Sequence, residues 1–223
     1  MYRTPFLISN IEVFDVNTKE AYNIKVVKFG GSSLASAEQF MKVANIIKAD
    51  PARRYVVPSA PGKRFSGDTK VTDMFYECYN VSAAGGNIDE IFDKVCERYN
   101  LIISGLGLDF DLSDEYHHIK WAILHHAGRD YAASRGEYLN GMILANYLGF
   151  DFIDPAQFIR FRDDGAFDAE ITNGLLAEEL KKHETGVIPG FYGSMPNGTI
   201  RTFSRGGSDI TGSIVSRAVE ADL

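Results

Sequence analysis

Cysteine, tryptophan and long apolar runs are all scarce in this chain. Its 223 residues hold two cysteines, Cys78 and Cys96, and one tryptophan, Trp121. Two cysteines in helical-looking stretches make no disulfide framework, so a reducing compartment is the simple expectation. No apolar run approaches the ~18 residues that a membrane helix needs. The N-terminal residues lack the basic-then-apolar order of a signal peptide. A cytoplasmic protein with no membrane partner is therefore expected. Positive charge is the minority sign, with 23 Lys and Arg against 30 Asp and Glu, a net −7. That balance argues against nucleic acid as a partner, because nucleic-acid binders present a basic face.

What remains is ordinary globular material, 45% hydrophobic and 24% charged. A chain of this length buries roughly 70% of its unfolded surface and needs no metal or disulfide to hold a core. Trp121 is expected in that core. The histidines at 117, 118, 125 and 126 fall on one helical stretch, but not at the spacing and with the carboxylate that a metal site requires. No metal ligands are assigned.

Residues 1–23 are weakly patterned and read as an N-terminal arm or edge strand. From Ile24 the pattern sharpens. Residues 24–29 form a β-branched buried strand that Gly30 and Gly31 end. A capping box at Ser36 opens a helix through Asp50, and residues 54–58 form a second strand. Strand, helix and strand within about 30 residues predict a parallel pair with a right-handed crossover. Residues 61–69 (PGKRFSGDT) form a turn-rich basic loop. Helices are expected over 71–83, 88–103, 113–126, 137–148, 170–182 and 210–221, and strands over 150–153, 186–190 and 199–203. The alternation gives an α/β fold, a three-layer α/β/α sandwich around a mainly parallel sheet.

Ligands of open parallel sheets gather where strands end, and three such places carry polar, glycine-rich residues. At the first, Lys28 precedes Gly30, Gly31, Ser32 and Ser33. It is neither a P-loop nor a GxGxxG turn, but the glycines let backbone N–H groups approach an anion. Lys28 faces opposite to Val27 and Phe29. It reads either as a strand-end lysine reaching solvent or as a phosphate binder. At the second, Ser134 and Glu137 have the form of a capping box opening a helix. The alternative gives Glu137 a ligand's ammonium group, and taken alone the cap is the stronger reading. At the third, Ser204 to Asp209 open a helix. Two glycines permit backbone approach, Ser208 can cap, and Arg205 offers a planar fork for a carboxylate or phosphate. Six residues so rich in ligand-friendly groups favour function.

Together and in this order, the three motifs resemble those of the aspartate kinase family within the amino-acid kinase fold. Residues 28–33 (KFGGSS) resemble its KFGG-T-S signature, with Ser32 where Thr is usual. Residues 134–137 (SRGE) resemble its SRGE or SAGE element, and residues 204–209 (SRGGSD) its GRGGSD, with Ser204 for the first Gly. Residues 190–193 (GFYG) and 57–60 (VPSA) match the elements GF-x-G and VVSA. The correspondence runs from about residue 25 to the end.

The resemblance implies transfer of a phosphoryl group from ATP, with Mg²⁺, to the side-chain carboxylate of L-aspartate. Lys28 would stabilise the transferred phosphoryl. Gly30, Gly31, Ser32 and Ser33 would meet the phosphates. Ser59, Phe191, Arg205 and Ser208 would line the aspartate pocket, Glu137 would meet the substrate ammonium, and Asp209 would hold Lys28 in place. L-Aspartate is thus the expected small-molecule partner, with self-association left open. The family's remaining nucleotide-binding segment and its regulatory domains find no counterpart, which implies that residues 24–223 are an incomplete kinase domain. Two alternatives stand beside this. One is a substrate-binding fragment inactive alone. The other is the same fold acting on glutamate, a carbamate or a nucleotide.

Overall fold

The computed structural model describes residues 24–204 and 206–223. The proposed arm at 1–23 and the site residue Arg205 lie outside the described residues.

Four parallel strands form the central sheet: β1 (Lys25–Phe29), β2 (Arg53–Pro58), β3 (Asp151–Phe152) and β4 (Gly186–Val187), in the order β1-β2-β4-β3. Among the described residues seven α-helices surround it: α1 (Ala37–Lys48), α2 (Val71–Ala83), α3 (Asp89–Leu106), α4 (Ser113–Leu124), α5 (Arg129–Leu148), α6 (Ala169–Leu180) and α7 (Gly207–Ala218). A separate antiparallel ribbon pairs β5 (Tyr192–Ser194) with β6 (Ile200–Thr202).

Side-chain alternation along the strands divides the core in two. Val56 and Val187, with Val27 and Phe29 against them, pack on α1 to α5 through residues such as Phe40, Phe75, Phe92 and Tyr99. Tyr55, Val57 and Ile188 point to the other face and pack on α6 and α7 through Leu176, Leu180, Ile214 and Val215. Because successive strand residues face opposite ways, this period of two makes the three-layer sandwich expected from the sequence.

Pro189 explains why β4 is shorter than the apolar run 186–190. Ile188 N–H bonds Val56 O and Gly190 N–H bonds Pro58 O. Between them proline has no N–H to give. At the same end of the sheet Ser59 N–H bonds Phe29 O. The carboxyl ends of β1, β2 and β4 therefore lie side by side.

Four local expectations are corrected. Ser36 occupies the N-cap of α1, but its side chain makes no capping hydrogen bond. Ser134 and Glu137 are not a capping box, because α5 begins eight residues before Glu137, at Arg129. Ser134 Oγ donates instead to Tyr131 O within the helix (2.7 Å). Trp121 is 63% exposed rather than core. It stacks on His125, one turn along α4 (ring centroids 4.1 Å), while Tyr116, Ile119 and Ile123 form the buried face. The helix expected over 210–221 begins at Gly207, which places Ser208 and Asp209 in its first turn.

Candidate active site

The strand ends bring distant segments together. β1 runs into Gly30 and a single 3₁₀ turn over Gly31–Leu34. Gly31 is needed for a close approach: a Cβ there would stand 2.7 Å from Ala60 O and 3.0 Å from Gly62 N. Gly62 N–H accordingly bonds Gly31 O (2.8 Å). The Gly30–Ser33 turn and the segment after β2 are thus zipped backbone to backbone, which a side chain would prevent.

Lys28 points to the α7 side, opposite to Val27 and Phe29. Its Nζ lies 2.9 Å from Asp209 Oδ1 in the first turn of α7, with the lysine side chain 29% and the aspartate 70% exposed. The ammonium is therefore held at a wet surface next to the Gly30 backbone.

Ser59 Oγ donates to Ser208 Oγ (3.0 Å), joining β2 to α7. Gly190 packs against the same serine, since a Cβ there would stand 2.6 Å from Ser208 Cβ. Phe191 follows with φ of +85°. An aromatic residue in the left-handed region is strained and persists only when its surroundings over-determine it. Here Phe191 N–H donates to Thr211 Oγ1 (3.1 Å) and Phe191 O accepts from Phe203 N–H (2.9 Å).

Glu137 enters from α5, which is buried almost all round. The carboxyl is 6% exposed, and Oε2 has no hydrogen-bond partner among the described residues. Burial pushes its pKa up to about 8, against a weaker opposing pull from the backbone N–H of Ala60. A carboxyl in an apolar interior favours the neutral form unless a cation arrives. Three residues along, Asn140 donates Nδ2–H to Ser59 O (2.7 Å) and so fixes the end of β2.

Of these groups Gly31, Ser59 and Glu137 face one cleft of about 450 Å³, which Ser32, Lys63, Lys70 and Thr72 also line. A larger cleft of about 730 Å³, with Arg160, Asp164 and Pro196 in its wall, shares none of the strand-end residues.

The structure thus gathers Gly31, Ser32, Ser59 and Glu137 directly. Ser208 joins them through Ser59, and Lys28 and Asp209 form a pair beside Gly30. Ser33 serves the turn itself, its N–H bonding Gly30 O. Sequence reasoning missed Thr72, Lys63, Lys70 and Asn140. Asn140 had a signal, because it falls three residues after Glu137 and shares its helix face. The lysines had one too, in the basic composition of the 61–69 loop. Among the described residues no group of three His, Cys, Asp or Glu could hold a metal ion.

Comparison with known proteins identifies the family of this fold. The model of the amino acid kinase family matches residues 23–223. The chain belongs to the amino acid kinase family. Its relatives in the family include Aspartokinase 3 of Bacillus subtilis, 38% identical over 218 residues, with 90% of this chain and 47% of the relative covered. The crystal structure of Clostridium acetobutylicum aspartate kinase superposes with a TM-score of 0.88 at 49% identity, covering 90% of this chain and 46% of that one. Escherichia coli aspartokinase III, solved with aspartate and ADP, shares the fold at a TM-score of 0.74 and 24% identity, covering 89% of this chain and 47% of that one. The chain spans about half the length of the relatives it matches. The three-layer fold described above is shared with these aspartate kinases.

Proposed function

We propose that residues 24–223 form the substrate half of an ATP-dependent kinase acting on the side-chain carboxylate of L-aspartate in the cytoplasm. The buried, unpartnered Oε2 of Glu137 carries this reading. An orphaned carboxylate at the back of a polar cleft is uncompensated until a cation docks, and the ammonium of an amino acid supplies one. Arg205, which the sequence motif supplies, and Ser208, in the first turn of α7, take the α-carboxylate, with Ser59 and Phe191 shaping the wall.

The side-chain carboxylate is then the nucleophile. It is ionised at neutral pH, so no general base is required. Rate enhancement reduces to positioning and to neutralising charge on the phosphoryl group in flight. Lys28 is suited to that task. It is exposed enough to meet a phosphate, lies beside the open backbone of Gly30, and is held in direction by Asp209. ATP supplies the phosphoryl group. Mg²⁺ keeps several waters and rides on substrate phosphates rather than in an all-protein cage, which fits the donor set of the described residues. Retention of Mg²⁺ would fall to the nucleotide, with Asp209 the carboxylate at that end of the cleft.

A second reading is favoured by the half-length match: the chain binds aspartate and phosphates but transfers no phosphoryl group alone. Calorimetry with L-aspartate and a hydroxamate assay with ATP and Mg²⁺ separate the two. Binding with turnover supports the first reading, binding without turnover supports the second, and no aspartate binding defeats both.

A further inference from the structure

The basic loop 61–70 is exposed at Lys63 to Gly67 and again at Thr69 and Lys70. It has no regular structure and carries three cationic side chains, Lys63, Arg64 and Lys70. Nevertheless it is fixed, and one buried side chain from a distant helix fixes it. Arg98 of α3 is 4% exposed. It donates through Nη2 to Gly62 O (2.8 Å), and through Nη1 to Asp68 Oδ2 (2.7 Å) and Thr69 O (3.2 Å). These three acceptors sit at the two ends of the loop. One end is zipped to Gly31, and the other leads into α2, where Val71 N–H bonds Pro61 O.

Asp68, 7% exposed, is also chelated from within the loop. Arg64 donates its backbone N–H and Nε to Oδ2 (both 2.9 Å) and Nη2 to Oδ1 (3.0 Å). The next residue on α3, Tyr99, donates its hydroxyl to Gly136 O (2.7 Å), immediately before Glu137. One turn of α3 thereby braces two walls of the cleft, the loop that carries Lys63 and Lys70 and the helix turn that carries Glu137.

Every polar contact of Arg98 goes to the loop. A buried charge pair adds little net stability relative to apolar packing, so stability alone does not account for it. Orientation does. A planar guanidinium satisfies several acceptors at fixed angles where an ammonium is a point charge. The cleft it shapes is lined by Glu137 and by Lys63 and Lys70, a set complementary to an amino acid with a second negative charge on its side chain.

We propose that Arg98 is a positioning residue: by clasping Gly62, Asp68 and Thr69 it holds Lys63 and Lys70 against the side-chain carboxylate of the bound amino acid, and so selects a dicarboxylic substrate. This rests on the aspartate reading given above.

Arg98→Met tests it. Asp68 keeps Arg64, so no buried carboxylate is abandoned and the fold should hold. Hydrogen exchange of the 61–70 segment should quicken about tenfold or more, while α1 and β2 stay protected. Affinity for L-aspartate by calorimetry should fall about tenfold, with Arg98→Lys intermediate. The double variant Lys63→Gln/Lys70→Gln should lose the preference for aspartate over asparagine with exchange and melting temperature unchanged, a pattern that a purely structural role would not produce. Unchanged exchange in Arg98→Met overturns the proposal. So does an aspartate affinity that survives a freed loop, or a preference for aspartate that survives loss of both lysines. If the unaltered chain binds no aspartate, the functional reading and the substrate-selecting role fall together, and the exchange result decides the clasp by itself.

Discussion

Lys28 Nζ stands 2.9 Å from Asp209 Oδ1, joining the last turn-facing residue of β1 to the first turn of α7 across 181 residues of sequence. Both groups are partly or largely exposed, and pairs of that kind contribute at most about 1 kcal/mol. Lys28→Ala should therefore leave the melting temperature almost unchanged while abolishing phosphate-dependent function. Asp209→Asn should keep measurable function with a weaker dependence on the lysine. Retained aspartyl hydroxamate formation or nucleotide binding in Lys28→Ala would remove the role given to that residue.

Glu137 makes the cleft pH-dependent. Its folded pKa of about 8 lies above the ordinary carboxyl value because of burial. Between those two values the folded state holds a proton that the unfolded state has released, so stability is lost as pH rises through 8. Glu137→Gln should accordingly melt higher than the unaltered chain at pH 9, by the equivalent of about 4 kcal/mol, with little difference at pH 5. Ammonium binding requires the carboxylate, so aspartate affinity should rise toward pH 8 with release of a proton. Calorimetry in buffers of different ionisation heat reads that proton, and a heat independent of buffer speaks against it.

Gly31 is placed by its neighbours. A methyl group there meets the backbone at Ala60 O and Gly62 N rather than a flexible side chain. Gly31→Ala should destabilise by about 1–3 kcal/mol through forced backbone displacement. It should also weaken aspartate binding more than an equally destabilising change in α6. Thermal melts beside calorimetry check both.

The two thiols should be silent in the native protein. Cys78 is buried and burial pushes its thiol up to about 12, while Cys96 is pushed up to about 11. Thiolate is the reactive species, so a disulfide reagent at pH 8 should label neither cysteine until denaturant is added. Rapid labelling of the folded chain would contradict the packing of α2 and α3.

The sequence by itself determined the layers and the places where chemistry gathers. β-branched runs such as 24–29 ended by glycine, alternating with helical periodicity, specify a parallel sheet, and the Lys28 and Ser208 segments stand at ends of its elements. It misread α5, because thirteen residues of that helix are buried around its whole circumference. A helix buried on all sides, with Ser134, Arg135, Glu137 and Asn140 among its buried residues, carries no amphipathic stripe to announce its start, and Glu137 consequently looked like a cap. Trp121 misled in the opposite way: size suggests burial, but the face of α4 on which it falls is turned outward. Only the tertiary structure decided that Glu137 is an orphaned carboxyl and that Arg98 reaches across to Asp68, Gly62 and Thr69. Such relationships depend on which groups remain without water or a partner once the whole chain has closed, and no local pattern encodes that.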